Sequence, residues 1–95
     1  MKVLEFKTIS PFFELCRDGE KPFDIRLIDH KDKRFKALSQ WGSSEKRNWR
    51  WYIRFTNPIT GETFTRKLVT WEYIRNLEGF LIQPEWLIMY LGELV

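Results

Sequence analysis

The segment Gly19-Glu20-Lys21-Pro22-Phe23-Asp24-Ile25-Arg26 sets a lysine, a carboxylate and an arginine close together in the chain. On an extended strand Asp24 and Arg26 would share one face about 7 Å apart, with Lys21 at the strand's mouth. Lys21 and Arg26 could then bind a phosphate or a base edge, while Asp24 orients them or accepts from an exocyclic amine. The same spacing serves equally as a salt-bridged sheet face that only stabilises the fold, so the spacing by itself leaves both readings open. A second group is Arg50, Tyr52 and Arg54, which alternate along a strand pattern. That pattern makes a basic, aromatic face on which an unpaired base stacks while phosphates are neutralised. A third is the run Lys31-Asp32-Lys33-Arg34-Phe35-Lys36, with four basic residues and one acid. It reads either as a solvated loop or as a flexible phosphate clamp in which Lys33 and Arg34 give a salt-dependent affinity.

Other chemistries lack their residues. One cysteine, Cys16, cannot form an internal disulfide or an all-cysteine metal site, and one histidine, His30, makes a conventional zinc centre a poor expectation. The glycines at 19, 42, 61, 79 and 92 are isolated, so no phosphate-binding glycine loop exists. No cofactor is expected. Cys16 is placed on the packed face of a short helix, as a small hydrophobe rather than a nucleophile.

Sixteen Lys/Arg against thirteen Asp/Glu give the 95 residues a net charge of +3, but the charge is unevenly spread. Residues 17–54 hold eleven Lys/Arg against six Asp/Glu, net +5, whereas residues 55–95 are net −2. The basic excess therefore coincides with all three candidate groups, as a polyanion-binding surface requires. A 43% hydrophobic, 31% charged composition is that of a globular chain, and its length is one domain's worth, residues 1–95. No apolar run approaches the roughly 20 residues of a membrane span. Met1–Phe6 alternates apolar and charged residues, unlike a signal peptide. The expectation is a soluble, cytoplasmic chain without a membrane partner.

The elements that position these residues follow from pattern. Residues 2–9 read as a strand with Leu4 and Phe6 on one face. Ser10-Pro11 reads as a helix start, with Ser10 capping and Pro11 in the first turn. The helix Phe12–Asp18 is expected to pack Phe12, Leu15 and Cys16, and Gly19 to end it in a left-handed turn. Residues 22–28 alternate, which places Phe23, Ile25 and Leu27 inward and Asp24 and Arg26 on the opposite face. Phe35–Leu38 is a short apolar piece and Ser39–Asn48 a flexible loop. Residues 49–56 form a strand with Trp49, Trp51, Ile53 and Phe55 toward the core. Asn57–Glu62 turns it into a second strand, Thr63–Thr70. Trp71–Leu77 is strand or helical turn. Pro84 breaks the chain, and Trp86–Leu91 is read as a closing strand.

The octapeptide Gly19–Arg26 resembles the signature of the ASCH domains, in the PUA-like superfamily, where a helix ends in Gly-x-Lys and a strand carries an acid and then Arg. Pro11-Phe12-Phe13-Glu14-Leu15 fits the family's first helix, and Asp32-Lys33-Arg34-Phe35 resembles its charged, aromatic-tipped turn. Asn57–Arg66 is similar to the hairpin of a small ASCH-like group of unknown function from bacteria and phages. Gly79-Phe80 and Trp86–Leu91 would match that group's last strand. The chain departs from the family in lacking the Gly-Asp pair after the charged turn. The resemblance implies an α+β, mainly β fold: a small PUA-like, partly closed antiparallel β-barrel with one or two short helices.

The resemblance also implies a nucleic-acid or modified-nucleotide-binding module. Its cleft would lie between the first helix and the barrel, lined by Lys21, Asp24 and Arg26. Arg50, Tyr52, Arg54, Lys33 and Arg34 would flank it, and RNA, single-stranded nucleic acid or a modified nucleotide would be the partner. A second implied activity is an amidohydrolase acting on acylated cytidine, with Lys21 as base and Glu72 as partner. Asp24 stands where that family's threonine would be, and a carboxylate does not replace a hydroxyl nucleophile. A third reading is a protein-interaction or inhibitor module using an exposed aromatic face.

Overall fold

A computed structural model describes residues 2–27, 29, 31–39, 50–75 and 85–95. The readings made for His30, for most of the 39–48 loop, for Trp49 and for Pro84 fall outside these residues. The described elements are β1 (Lys2–Lys7), α1 (Phe12–Arg17), β2 (Phe23–Leu27), α2 (Lys33–Ser39), β3 (Trp51–Thr56), β4 (Thr63–Arg75) and β5 (Glu85–Leu94).

Period-two burial organises β1 and β3 as their sequences require. Leu4 and Phe6, and Trp51, Ile53 and Phe55, are all buried. Tyr52, Arg54 and Thr56 alternate to the other face. The turn joining β3 to β4 is held by its own polar groups. The Asn57 side chain accepts from the Ile59 amide at 3.0 Å, and the Gly61 amide donates to the Asn57 carbonyl at 2.8 Å. Gly61 has φ +78°, a left-handed conformation that a side chain would strain. β4 then runs on to Arg75, which resolves residues 71–75 as strand, and β5 is the closing strand expected at the C-terminus.

The five strands form one curled sheet in the order β1-β3-β4-β5-β2. The expected partly closed antiparallel barrel is corrected in one pairing: β1 and β3 run parallel, and the other three pairings are antiparallel. A parallel pair needs a long crossover, and α1, β2 and α2 supply it. β1 and β2 are the two sheet edges, and the curl brings them together. Arg26 on β2 donates through Nη1 to the Lys7 carbonyl at the end of β1, at 2.8 Å.

Both helices contribute to the concave face. Phe13 and Cys16 of α1 and Phe35 and Leu38 of α2 join the sheet's inward side chains in a single core. Phe13 packs edge-on against Phe64, which stacks on Phe55, each at 5.0 Å between centroids. Two details of α1 differ from the sequence reading. Pro11 is the N-cap, not the first helical residue, and the Ser10 hydroxyl bonds Glu14 at 2.5 Å instead of capping an amide. That phase buries Phe13 in the core and leaves Phe12 half exposed. The segment 33–39, read from sequence as the end of a charge run closed by a short apolar piece, is helix. Asp32 starts it by accepting from the Arg34 amide at 2.9 Å, and Phe35 and Leu38, three apart, face inward.

Candidate functional site

β2 reverses the expected polarity of its two faces. Asp24 is only 4% exposed and Arg26 faces the same way, whereas Ile25 and Leu27 are exposed. Alternation fixes that neighbours point oppositely, but not which set points inward. Here the polar set can go inside because the carboxylate is paired there. Asp24 accepts from Arg26 Nε at 2.6 Å, and the arginine's fork reaches on to the Lys7 carbonyl. Burying an unpaired carboxylate would cost several kcal/mol. Pairing it removes most of that cost, though an apolar pair would pack at least as well.

The Asp24–Arg26 pair borders an open recess of about 210 Å³, lined by Thr8, Phe12, Lys21, Asp24, Ile25 and Arg26. Three of the residues named from sequence, Lys21, Asp24 and Arg26, thus meet at one place, between α1 and the seam where β1 approaches β2. Gly19, at φ +80°, turns the chain out of α1 and into the stretch that carries Lys21. The Lys21 amide bonds the Leu15 carbonyl at 3.0 Å, and its ammonium lies 4.8 Å from the Phe12 ring centre and 5.4 Å from that of Phe23. Arg26 has a further nitrogen, Nη2, that is enclosed and makes no hydrogen bond. A guanidinium with an unused donor is costly to a fold, and it marks where an acceptor would be welcome.

Behind the recess, two guanidinium groups lie over Phe6, with Arg26 at 5.1 Å and Arg34 at 4.1 Å from the ring centre. Arg34 is engaged on every side: it pairs with Asp32 and donates to the Glu5 carbonyl. That bond holds the Asp32 carboxyl below its ordinary range, against the opposing effect of burial. Arg34 therefore anchors α2 to β1. Lys33, on the same helix, is exposed.

Tyr52 and Arg54 lie along β3 and face outward, and Arg50, exposed, immediately precedes the strand. The register sets Tyr52 beside Val3 and Lys67, and Arg54 beside Glu5 and Thr65. Arg54 pairs with Glu5 at 2.8 Å, both side chains well exposed. Such pairs are worth about 0–1 kcal/mol and exchange readily for another anion. Lys67 belongs to this face and was not singled out from sequence. Its signal is the hairpin register, which only the paired strands supply.

Glu72 does not join the recess. It lies on β4, two strands from β2, opposite Ile88 and bonded by the Tyr90 hydroxyl. Burial raises the Cys16 thiol above its usual range, and the Cys16 Sγ lies 3.7 Å from the Phe23 carbonyl. That is the packed side chain expected from sequence. Among the described residues no three His, Cys, Asp or Glu side chains come together as a metal site, and no helix is long and apolar enough to cross a membrane. Phe12 and Thr8 are recess residues that the sequence reading did not assign. The Phe12-Phe13 pair carried the signal for Phe12, since two adjacent helical residues cannot both face one core. Compared with known protein families, with curated proteins and with solved structures, the chain matches none.

Proposed function

We propose that this chain is a nucleic-acid- or nucleotide-binding module of the ASCH, PUA-like type, with its specificity in the recess. The observation that carries the reading is the inward-facing Asp24–Arg26 pair beside an open recess, in a strand whose apolar residues were available for that side. Local rules broken in favour of an inward-facing polar pair are the mark of a functional site. A volume of about 210 Å³ falls short of the 300–1,000 Å³ of drug-sized pockets, so one base enters and the rest of the ligand stays outside. Asp24 offers an acceptor, Arg26 a donor and Phe12 a face for stacking, while Lys21 meets the attached phosphate. Lys33, Arg50, Arg54 and Lys67 supply the electrostatic flank and Tyr52 a second stacking surface. Arg34 acts by anchoring α2. No bond is broken in this mechanism.

The test is equilibrium binding of single-stranded RNA and DNA oligonucleotides and of nucleoside monophosphates over a salt series. Arg26→Ala should abolish preference among bases. Lys33→Ala should weaken all ligands alike and lower the salt slope by about one. Equal, sequence-indifferent losses from both substitutions would refute the assignment.

A further inference from the structure

β2 is an edge strand, and the phase of its ladder decides which backbone groups it leaves unpaired. The Leu91 amide donates to the Pro22 carbonyl at 2.9 Å, one step beyond the Phe23–Tyr90 pair of the register. Bonded and non-bonded pairs alternate along an antiparallel ladder. Asp24 and Arg26 therefore bond Met89 and Leu87 through their amides and carbonyls, while Phe23, Ile25 and Leu27 turn theirs to the free edge. The Cys16 thiol agrees with this phase, since it meets the Phe23 carbonyl from that side at 3.7 Å.

The two edges that the curl brings together are finished differently. On β1 the Glu5 and Lys7 carbonyls accept from Arg34 and Arg26, so side chains stand in for a neighbouring strand. On β2 the Ile25 side chain faces outward, yet Ile25 lines the recess, and its backbone is what reaches it. Natural sheets ordinarily cover or blunt an unpaired edge. This rung opens instead onto the recess, beside the Arg26 Nη2 that lacks an acceptor.

We infer that the Ile25 amide and carbonyl read the pairing edge of an unpaired base, an inference that rests on the nucleotide-binding reading above. In a ladder such a residue exchanges two hydrogen bonds with the residue opposite. Each common base carries a donor beside an acceptor on its Watson–Crick edge, so that edge takes the opposite residue's place. A strand from another chain is a poor occupant, because a recess of about 210 Å³ holds one ring and takes in one rung. The ligand is then a base with its Watson–Crick edge free, in a nucleotide or in single-stranded nucleic acid. A base held in a duplex, or methylated on that edge, is excluded.

The first measurement needs no ligand. Amide hydrogen exchange on the intact chain should be at least tenfold faster at Ile25 than at Asp24 and Arg26. A slow Ile25 amide would show that the edge is covered and overturn the inference, without touching the assignment of the Lys21, Asp24 and Arg26 side chains. The second measurement uses the four common nucleoside monophosphates and a short single-stranded RNA, and the tighter class tells nucleotide from nucleic acid. Saturation should slow exchange at Ile25 at least tenfold. Methylating the preferred base on its pairing edge, or annealing the RNA to its complement, should cost about tenfold in affinity. Ile25→Pro removes an N–H that the ladder does not use. It should keep the circular dichroism and bind about tenfold more weakly, while Ile25→Val binds as the parent. If the proline variant fails to fold, exchange and the methylated ligand decide alone. Equal affinity for methylated and parent ligands, or unchanged Ile25 exchange at saturation, would overturn the inference even where Arg26→Ala upholds the recess. No binding of any of these ligands would overturn both.

Discussion

Arg66 ties together more of this fold than any feature of its sequence context announces. Its Nε donates to the Cys16 carbonyl, its Nη2 to the Arg17 carbonyl and its Nη1 to the Gly92 carbonyl, each at 2.8 Å. One side chain on β4 therefore satisfies the last carbonyls of α1 and a carbonyl of β5. A six-residue helix has no stability of its own, so its position depends on such contacts and on Phe13 and Cys16. Each hydrogen bond to a charged group contributes about 1.5–3 kcal/mol. Three in one fork are not additive, and water can reach part of the site, so Arg66→Ala should cost about 3–4 kcal/mol. For a chain of this size that lowers the melting temperature by about 12–25 °C. Arg66→Lys keeps the charge but not the planar fork, and should recover no more than about one of the three bonds. The assay is urea unfolding followed by tryptophan fluorescence with a parallel thermal melt. A loss below about 1 kcal/mol in Arg66→Ala would refute the claim that this fork holds α1 in place.

Gly19→Ala should cost more than Gly61→Ala although both positions have positive φ, because an added methyl at 19 meets Arg66 Nη2 at 3.3 Å and at 61 meets nothing within 4 Å. Strain alone predicts about 1–2 kcal/mol at each, so equal costs in urea unfolding would mean that the Arg66 contact has no consequence. The Asp32 carboxyl titrates below its ordinary range when folded, chiefly through its bond to Arg34. It therefore stabilises the protein above the carboxylate range and loses that contribution as pH falls through its lowered folded pKa. Asp32→Asn should flatten the acid side of the stability–pH curve, and an unchanged acid limb would contradict this. Cys16, buried and with its thiol raised, should resist a thiol reagent at mildly alkaline pH until urea unfolds the chain. Labelling that precedes the fluorescence transition would show that α1 opens locally.

What was legible in the sequence is what local physics decides. The β3–β4 hairpin follows from Asn57 and Gly61 in its turn, and β1 and β3 follow from strict alternation of large apolar residues. Gly19 as the helix terminator is of the same kind. The parallel pairing of β1 with β3 was not legible, because the partners lie some fifty residues apart and no motif encodes their contact. The facing of β2 was misread because Ile25 and Leu27 outvote Asp24 and Arg26 on hydrophobicity. The bonds that reverse the vote, to Lys7 and within the pair, belong to the folded seam. α2 was hidden by its charges. Asp32 as a cap, with Phe35 and Leu38 three apart, was the available signal. Of the candidate site, Lys21, Asp24 and Arg26 were singled out as a group and line one recess, but their joint position beside Phe12 required the structure.

The most direct measurement is an amide-shift titration of the labelled chain with the four common nucleoside monophosphates and a short single-stranded RNA. The account predicts shifts concentrated at Thr8, Phe12, Lys21 and Asp24–Arg26, with one base preferred. In Asp24→Asn, which keeps the shape of the side chain and removes its charge, that preference should weaken by about tenfold or more while the chain stays folded. Shifts confined to the outer face of β3, or none at the recess with any of these ligands, would contradict it.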